Sequence, residues 1–368
     1  MKILVILIGE MCFDGITNSV LNYYRAMDRS DMVIHIVSAK RTDRKMAENF
    51  EKIGCKVYSL ENRDSHTAQY FFDLIKLIHK EKYDIVHAHG NCATLAIETT
   101  AAMIGGCRVR IVHSRNSSCE HVKADKILRP VLYATYTDGF ACGEKAGKWL
   151  FRNRQFTIVN NGKEIDKFLF DPKKRNEYRT QLGVSNDIIL LGHVGLFHPQ
   201  KNHKFLIEIF ERICEKSSNY RLVLIGEGGE QNKIKNLVHA KHLDNKVIFL
   251  GRQSNVCDWL NALDIMVFPS LFEGMPNVVL EWQISGLPAI ISDVITRECN
   301  ITNSVEYFPL DAGAEQWASK IMSTPIIQRD GYQDSIRKQF KDAGFDISEN
   351  AQRLKLIYYK LLNRKLKH

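Results

Sequence analysis

The chain has no apolar run long enough to span a membrane, and its cysteines form no paired motif. The first ten residues, MKILVILIGE, contain a short apolar stretch without a small-residue cleavage site, which is typical of a buried strand and not of a signal peptide. The nine cysteines are scattered singly, with no C-x-x-C pair. This pattern favours reduced thiols over disulfides or zinc. We therefore expect a cytoplasmic protein.

Two further absences exclude classes of ligand. Neither half has G-x-G-x-x-G after its first predicted strand, which disfavours a nicotinamide dehydrogenase. No known nucleic-acid-binding motif accompanies the basic residues, which disfavours nucleic acid as a partner.

The charge of the chain is concentrated in two segments. The 368 residues exceed what one core usually supports, which predicts two domains, and the formal net charge is +9. Residues 123–154 contain seven basic and three acidic residues, and residues 353–368 contain six basic and no acidic residues. Both segments also contain large apolar side chains. They are either amphipathic surface helices or a surface that contacts anionic lipid or a phosphorylated lipid-linked substrate.

Short apolar strands alternate with helical patterns along the whole chain, with a polar passage at residues 162–186. This alternation predicts an α/β protein with two doubly wound, Rossmann-like domains that face each other across a cleft. The predicted domains are 1–165 and 166–345. A basic C-terminal helix in 346–368 is expected to pack on the N-terminal domain. The predicted strands are 3–8, 33–38, 56–59, 85–89, 109–113, 139–141, 157–159, 188–194, 221–225, 247–250, 265–268, 289–291 and 306–308.

The segment FPSLFEGMPNVVLEWQISGLP, residues 268–288, is the most informative. A buried strand leads into a turn with Glu273, and Glu281 follows inside the next helix. Free backbone N–H groups at the helix start lie between the two acids and form an anion site. A nucleotide diphosphate sugar has a matching layout. The alternative is a helix whose first turn is acidic for dipole reasons.

Other polar residues follow the predicted strands, where ligands bind in open α/β sheets. In the second half these are Gly195 and Lys201 in GLFHPQKNH, the glycine-rich turn GEGGE (226–230), and Gly251-Arg252. A lysine there can meet a phosphate. The glycine-rich turn alone is more often structural than phosphate-binding.

The first half shows the same arrangement. Gly9 and then Asp14-Gly15 follow the first strand, and His89 and His113 each end a strand. A single histidine there is usually a polar residue leaving the sheet. Two on strands that can be neighbours favour a role in the cleft.

Over nearly its full length, the chain resembles the retaining glycosyltransferases of family 4, which have the GT-B fold. The matching segments are Glu273–Glu281, with its Glu-x7-Glu spacing, together with VGLFHPQKNH, LIGEGGE, DIVHAHG, IVHSRNS and VNNGKEIDKF. HPQKNH and EGMPNVVLE are most similar to bacterial enzymes of capsule, exopolysaccharide or O-antigen assembly.

The resemblance implies roles for the donor-site residues of the second half. Lys201 would contact the donor diphosphate, together with the amides of Asn277 and Val278. Glu281 would accept hydrogen bonds from the ribose hydroxyls, and Glu273 would contact the transferred sugar.

It implies further contacts elsewhere. Gly15 and Gly195 would allow close backbone approach, and the base, expected to be uridine, would stack near Arg252. His113 or His89 would lie near the donor sugar. Enzymes of this fold need no metal, and the sequence has no Asp-x-Asp motif to hold one. Retention would proceed by front-face displacement, with a leaving phosphate oxygen as the base.

One position departs from the family pattern. The family usually has V-G-R here, and this chain has Leu196 in place of the arginine. Charge-assisted contacts of this kind are each worth about 1.5–3 kcal/mol. Arg252, His198 or His203 could replace the missing cation.

The sequence therefore predicts a cytoplasmic glycosyltransferase, which would be peripheral at the inner face of the plasma membrane if the basic segments contact lipid. It would transfer sugar from a UDP-sugar to a glycan or lipid-linked saccharide. The alternative, motivated by Leu196, is a catalytically weak nucleotide-sugar-binding partner of another transferase. An epimerase of the same fold is a third, less favoured hypothesis.

Overall fold

The computed structural model describes residues 1–119 and 121–366, which form two compact units. One unit contains Met1–Lys163 together with the chain from Gly344, and the other contains Glu164–Ala343. The predicted boundaries, after residues 165 and 345, lie slightly C-terminal to these. Lys367 and His368 of the predicted basic segment lie outside the described residues.

The first unit is built on a seven-stranded parallel sheet with the order β3-β2-β1-β4-β5-β6-β7. Its strands are β1 (Lys2–Leu7), β2 (Val33–Ser38), β3 (Lys56–Ser59), β4 (Ile85–Gly90), β5 (Val109–Ser114), β6 (Asp138–Ala141) and β7 (Thr157–Ile158). The helices between them are α1 (Gly15–Ala26), α2 (Arg44–Lys52), α3 (Thr67–Glu81), a 3-10 turn (Ala93–Leu95), α4 (Ala96–Ile104), α5 (Val122–Thr135) and α6 (Glu144–Phe151).

The second unit has a six-stranded parallel sheet with the order β10-β9-β8-β11-β12-β13. Its strands are β8 (Ile189–Val194), β9 (Tyr220–Ile225), β10 (Val247–Gly251), β11 (Ile265–Phe268), β12 (Ala289–Ser292) and β13 (Val305–Phe308). Its helices are α7 (Ile165–Phe168), α8 (Pro172–Gln181), α9 (His203–Lys216), α10 (Gln231–Ala240), α11 (Val256–Ala262), α12 (Asn277–Ile284), α13 (Gly313–Met322) and α14 (Gln333–Asp342), with 3-10 turns at Pro199–Lys201, Arg297–Cys299 and Leu310–Ala312.

All thirteen predicted strands are present, which confirms two Rossmann-like parallel sheets. Strand β1 shows why its continuous apolar sequence forms a central strand. Ile3 and Val5 point into one core with α1, while Leu4 and Ile6 point into a second core with α3, and all four are fully buried. A parallel strand covered by helices on both faces must be apolar on both.

The last helix, α15 (Ile347–Leu366), belongs to the first unit and packs against α1. Its buried residues recur every three or four positions, as expected for one face of a helix, and they join the core that contains Ile3: Ile347, Ala351, Leu354, Tyr358 and Leu361. The apolar side of this basic segment is therefore covered by protein.

Within the described residues, no helix is long and apolar enough to cross a membrane. All nine cysteines fall in this part of the chain, and each is a free thiol.

Candidate active site

Two loops of the second unit meet at the carboxyl ends of the neighbouring strands β8 and β11. The Leu271 amide donates to the Gln200 carbonyl at 2.8 Å, and the Asn202 side-chain amide donates to the Pro269 carbonyl at 3.1 Å. These bonds fix the loop after β8 against the loop after β11. Lys201 and Glu273, one on each loop, are thereby brought together.

The Lys201 ammonium lies 2.6 Å from Glu273 Oε1. The two side chains are only 17% and 9% exposed, and the ammonium also lies over the Phe268 ring, 4.7 Å from its centroid. A lysine held in this way is positioned before any ligand arrives. A phosphate that binds it shares the ammonium with a carboxylate.

Helix α12 begins immediately after Glu273's loop, with Pro276 at its N-cap. The first amides of the helix, those of Asn277 and Val278, have no carbonyl partner within the helix itself. Glu281 lies one turn further on and is partly exposed. The structure thus shows the predicted order of acid, helix start and acid.

The glycine-rich turn after β9 supports this site structurally. A Cβ on Gly226 would lie 1.9 Å from the Gly195 carbonyl oxygen, and one on Gly228 would lie 2.5 Å from that of Phe197. Both glycines have positive φ, at 145° and 155°. They let this turn pack against the loop that carries Lys201, which is the structural interpretation of the motif.

Gly195 has a different environment. A Cβ there would meet side chains at 3.3–3.5 Å, namely His193 and the aliphatic chain of Lys201. Its lack of a side chain leaves room for Lys201 to lie along the loop.

His193, which was not among the predicted site residues, is fully buried beneath this loop. Its Nδ1 bonds to the Val267 carbonyl at 2.9 Å, and its ring packs edge-on to His203. Burial lowers the pKa of His193 to about 4 and that of His203 to about 2, so both are neutral at pH 7. The signal in the sequence was a polar residue inside the apolar strand ILLGHV.

Leu196, which stands where the family usually has an arginine, is 46% exposed. His203, one of the predicted replacements, is buried and stacks on Phe197 with centroids 4.2 Å apart, so that prediction is wrong. His198 uses its ring to accept from the Gln200 amide, and Arg252 is exposed at the end of the edge strand β10.

In the first unit, the structure brings the two predicted histidines together. His89 and His113 are register partners on the paired strands β4 and β5, and their rings stack with centroids 5.0 Å apart. His87, two residues before His89 on the same strand, joins them: its Nε2 lies 3.1 Å from His113 Nδ1. His87 was not predicted as a site residue, although its position two residues before His89 puts both on the same face of the strand.

Each histidine of this cluster is buried, and burial lowers its pKa far below the usual value. Arg115 lies beside them and donates from Nε to His89 Nδ1 at 3.1 Å and from its guanidinium to Asn161 at 2.9 Å. The nitrogens of the three histidines lie within 4.8 Å of one another, a spacing that a metal ion can bridge. The adjacent guanidinium charge opposes a cation there.

Gly15 begins α1, and its neighbours line a cavity of about 230 Å³ in the first unit. The cavity lies at the carboxyl ends of β1 and β4 and is bordered by Gly9, Asp14, Thr17, His89 and Asn91. Asp14 caps α1 by accepting from the Thr17 amide at 2.7 Å. The lining of this cavity combines backbone, hydroxyl, imidazole and charged groups.

Family models match both units of the chain. The model described as Glycosyltransferase Family 4 matches residues 13–160, and the model described as Glycosyl transferases group 1 matches residues 188–324. The chain belongs to the family 4 glycosyltransferases. It is therefore a transferase, and its two sheets are those of the GT-B fold.

Relatives and solved structures agree with this assignment. EpsF of Bacillus subtilis is 28% identical over 94% of this chain and 93% of its own length. The Escherichia coli UDP-Gal:alpha-D-GlcNAc-diphosphoundecaprenol alpha-1,3-galactosyltransferase is 29% identical over 65% of each chain. The crystal structure of Anabaena HepE in complex with UDP has a TM-score of 0.77 at 17% identity, covering 98% of this chain and 100% of its own.

Proposed function

We propose that this family 4 glycosyltransferase transfers a sugar from a UDP-sugar to a lipid-linked saccharide during the assembly of a surface polysaccharide. The Lys201–Glu273 pair at the start of α12 carries the proposal, because it combines a phosphate-binding cation with a sugar-binding carboxylate. The UDP complex of HepE and the donor in the name of the E. coli relative support uridine. The name of that relative also supports a lipid-linked acceptor.

Within this proposal, the second unit holds the donor. Lys201 and the amides of Asn277 and Val278 bind the diphosphate, since an ammonium and a helix start both favour anions. Glu281 accepts from the ribose hydroxyls, and Glu273 from a hydroxyl of the transferred sugar. Arg252 lies beside the base.

The first unit supplies the remaining groups. The backbone at Gly15 approaches the phosphates, and the neutral His113 and His89 contact the sugar. The reaction retains the anomeric configuration by front-face displacement, with a phosphate oxygen of the leaving UDP as the base. Fixed cations and amides stabilise the leaving diphosphate, and no metal takes part.

Leu196 favours a second candidate, a nucleotide-sugar-binding partner with little turnover. Without an arginine at this position, Lys201 and the helix start carry more of the phosphate charge. Loss of one such contact costs roughly ten- to a hundredfold in rate where the contact tightens in the transition state.

The two candidates are separated by one assay. The protein is incubated with UDP-glucose, UDP-galactose or UDP-N-acetylglucosamine and a diphosphate-linked saccharide lipid, and UDP release and lipid product are measured. The assay includes Lys201→Met, with Lys204→Met as its control. Lys204 lies nearby in sequence, and its side chain is 76% exposed. Binding without transfer, unaffected by Glu273→Ala, supports the partner subunit and contradicts the enzyme.

We also propose that the exposed face of α5 contacts anionic membrane. Val122, Ile127 and Val131 are 64%, 74% and 42% exposed on this helix, and Lys123 and Lys126 are exposed beside them. Apolar and basic residues together on one face are typical of a helix that lies in the lipid interface. On α15, by contrast, the apolar face that contains Leu354, Tyr358 and Leu361 is buried in the core of the first unit.

A further inference from the structure

His113 and His89 each present one ring nitrogen that has no hydrogen-bond partner in the described part of the chain. These atoms are the two Nε2 atoms, and both residues are almost fully buried. The opposite nitrogen of each ring is bonded within the first unit. Which of the two nitrogens carries the proton decides whether the unpartnered Nε2 donates or accepts a hydrogen bond.

A line of hydrogen bonds connects His113 to the last helix. His113 Nδ1 lies 3.1 Å from His87 Nε2, and His87 Nδ1 lies 2.7 Å from the Tyr358 hydroxyl of α15. The Tyr358 hydroxyl in turn lies 2.8 Å from that of Tyr24 on α1. All four side chains are buried.

Tyr24, at the end of this line, determines which group donates in each of its hydrogen bonds. Among the described residues, Tyr358 is the one hydrogen-bond partner found for the buried Tyr24 hydroxyl. A buried O–H donor is rarely left unbonded, so Tyr24 donates to Tyr358. Tyr358 then uses its own proton to donate to His87 Nδ1.

The positions of the protons on the histidine rings follow from this assignment. Because His87 Nδ1 accepts, the neutral ring of His87 carries its proton on Nε2 and donates to His113 Nδ1. His113 therefore accepts at Nδ1 and carries its proton on Nε2. His89 reaches the same state by another route, since Arg115 Nε always carries a proton and donates to His89 Nδ1.

We propose that Tyr358 and His87 are positioning residues that hold His113 in the tautomer with the proton on Nε2. This inference rests on the proposed function, in which His113 contacts the sugar. His113 and His89 then offer two neutral N–H donors to oxygen atoms of the sugar, without adding charge beside Arg115. The C-terminal helix thus contributes to the site without contacting the substrate.

The tautomer is measured directly by ¹⁵N NMR of the full chain labelled at histidine, with His113→Asn used to assign the signal. We expect a protonated Nε2 and an unprotonated Nδ1 at His113 in the wild type. In Tyr358→Phe, His87 Nδ1 no longer accepts a hydrogen bond from a tyrosine hydroxyl, and the His113 signals shift toward a mixture of tautomers.

Tyr83→Phe is the matched control, because the buried Tyr83 hydroxyl lies 2.7 Å from His35 Nδ1 in the same unit, outside this line. Each variant removes one tyrosine hydroxyl that is hydrogen-bonded to a buried histidine. We expect Tyr358→Phe to lower kcat by roughly tenfold, the effect of a changed tautomer preference, with KM for the UDP-sugar within about twofold. We expect Tyr83→Phe to leave both within about twofold of the wild type.

A second pair of variants separates loss of the hydrogen bond from loss of the fold. The amide of His87→Gln places an N–H donor near the position of His87 Nε2, whereas His87→Leu has none. A higher kcat in His87→Gln than in His87→Leu supports the role of His87 as a hydrogen-bond donor to His113. Equal kcat values contradict that role. Protonation of His113 at Nδ1 in the wild type overturns the proposed role of Tyr358 and His87, whatever the activity. Absence of sugar transfer overturns the proposed function alone.

Discussion

The Lys201 ammonium and the Glu273 carboxylate are 2.6 Å apart, although 72 positions separate them in the sequence. They meet because each follows one of two adjacent parallel strands, β8 and β11. In the proposed function, the pair places opposite charges next to each other for the phosphates and the sugar of the donor.

Substitutions in this pair should separate phosphate binding from sugar binding. We expect Lys201→Met to weaken binding of UDP, because UDP retains the diphosphate, and Glu273→Ala to bind UDP at least as tightly as the wild type while losing sugar transfer. Removing a charged contact costs about 1.5–3 kcal/mol, or roughly ten- to a hundredfold in Kd. Calorimetric titration with UDP measures this, with Lys204→Met as control. Equal loss of UDP affinity in both variants would contradict the assigned roles.

Leu196→Arg should raise turnover. The new guanidinium would follow β8 beside Lys201 and share the negative charge that develops on the leaving diphosphate, which we expect to raise kcat by roughly tenfold. Leu356→Arg adds the same charge to α15, where the leucine is 69% exposed, and should not change kcat. A lower kcat in Leu196→Arg would mean that the leucine suits a different phosphate geometry.

The α5 surface should bind anionic vesicles. In sedimentation with phosphatidylglycerol vesicles, we expect Ile127→Glu to reduce the bound fraction several-fold, because it puts a negative charge on the apolar, basic face. Leu356→Glu, an equally exposed change on α15, should bind as the wild type does. High salt should weaken binding. Equal recovery with neutral and anionic vesicles would remove the membrane proposal.

The buried histidines should make stability depend on pH. His87, His89 and His113 have pKa values far below the usual 6.5, and those of His193 and His203 are about 4 and 2. Below pH 6.5 the unfolded chain binds protons at these positions and the folded chain does not, so stability is lost as pH falls. Each histidine contributes up to about 1.4 kcal/mol per pH unit.

Thermal unfolding between pH 7.5 and 5.0 measures this loss as a falling Tm. His203→Gln should reduce the slope, while His239→Gln, whose histidine side chain is 83% exposed, should not. A Tm that stays constant or rises toward pH 5 would show that the histidines are not held neutral.

Much of the fold could be predicted from the sequence because parallel strands are apolar on both faces and leave a clear pattern. The Lys201–Glu273 contact was also within reach, since strand ends collect at one edge of a sheet. The contact of His87 with Tyr358 was not, because it depends on where α15 packs. The heptad-like spacing of Ala351, Leu354 and Tyr358 marks a buried face but does not name its partner.

The error concerning His203 has a similar origin. The sequence shows a histidine near Lys201, but its charge depends on burial against Phe197, which no local pattern reveals. A histidine inside the packed core is neutral and cannot replace an arginine.

The measurement that tests this account most directly is sugar transfer from a UDP-sugar to a diphosphate-linked saccharide lipid, followed as labelled lipid product. The account predicts product with at least one UDP-sugar, loss of product in Glu273→Ala, and unchanged product in the surface control Lys204→Met. UDP binding without product from any of the UDP-sugars would contradict it.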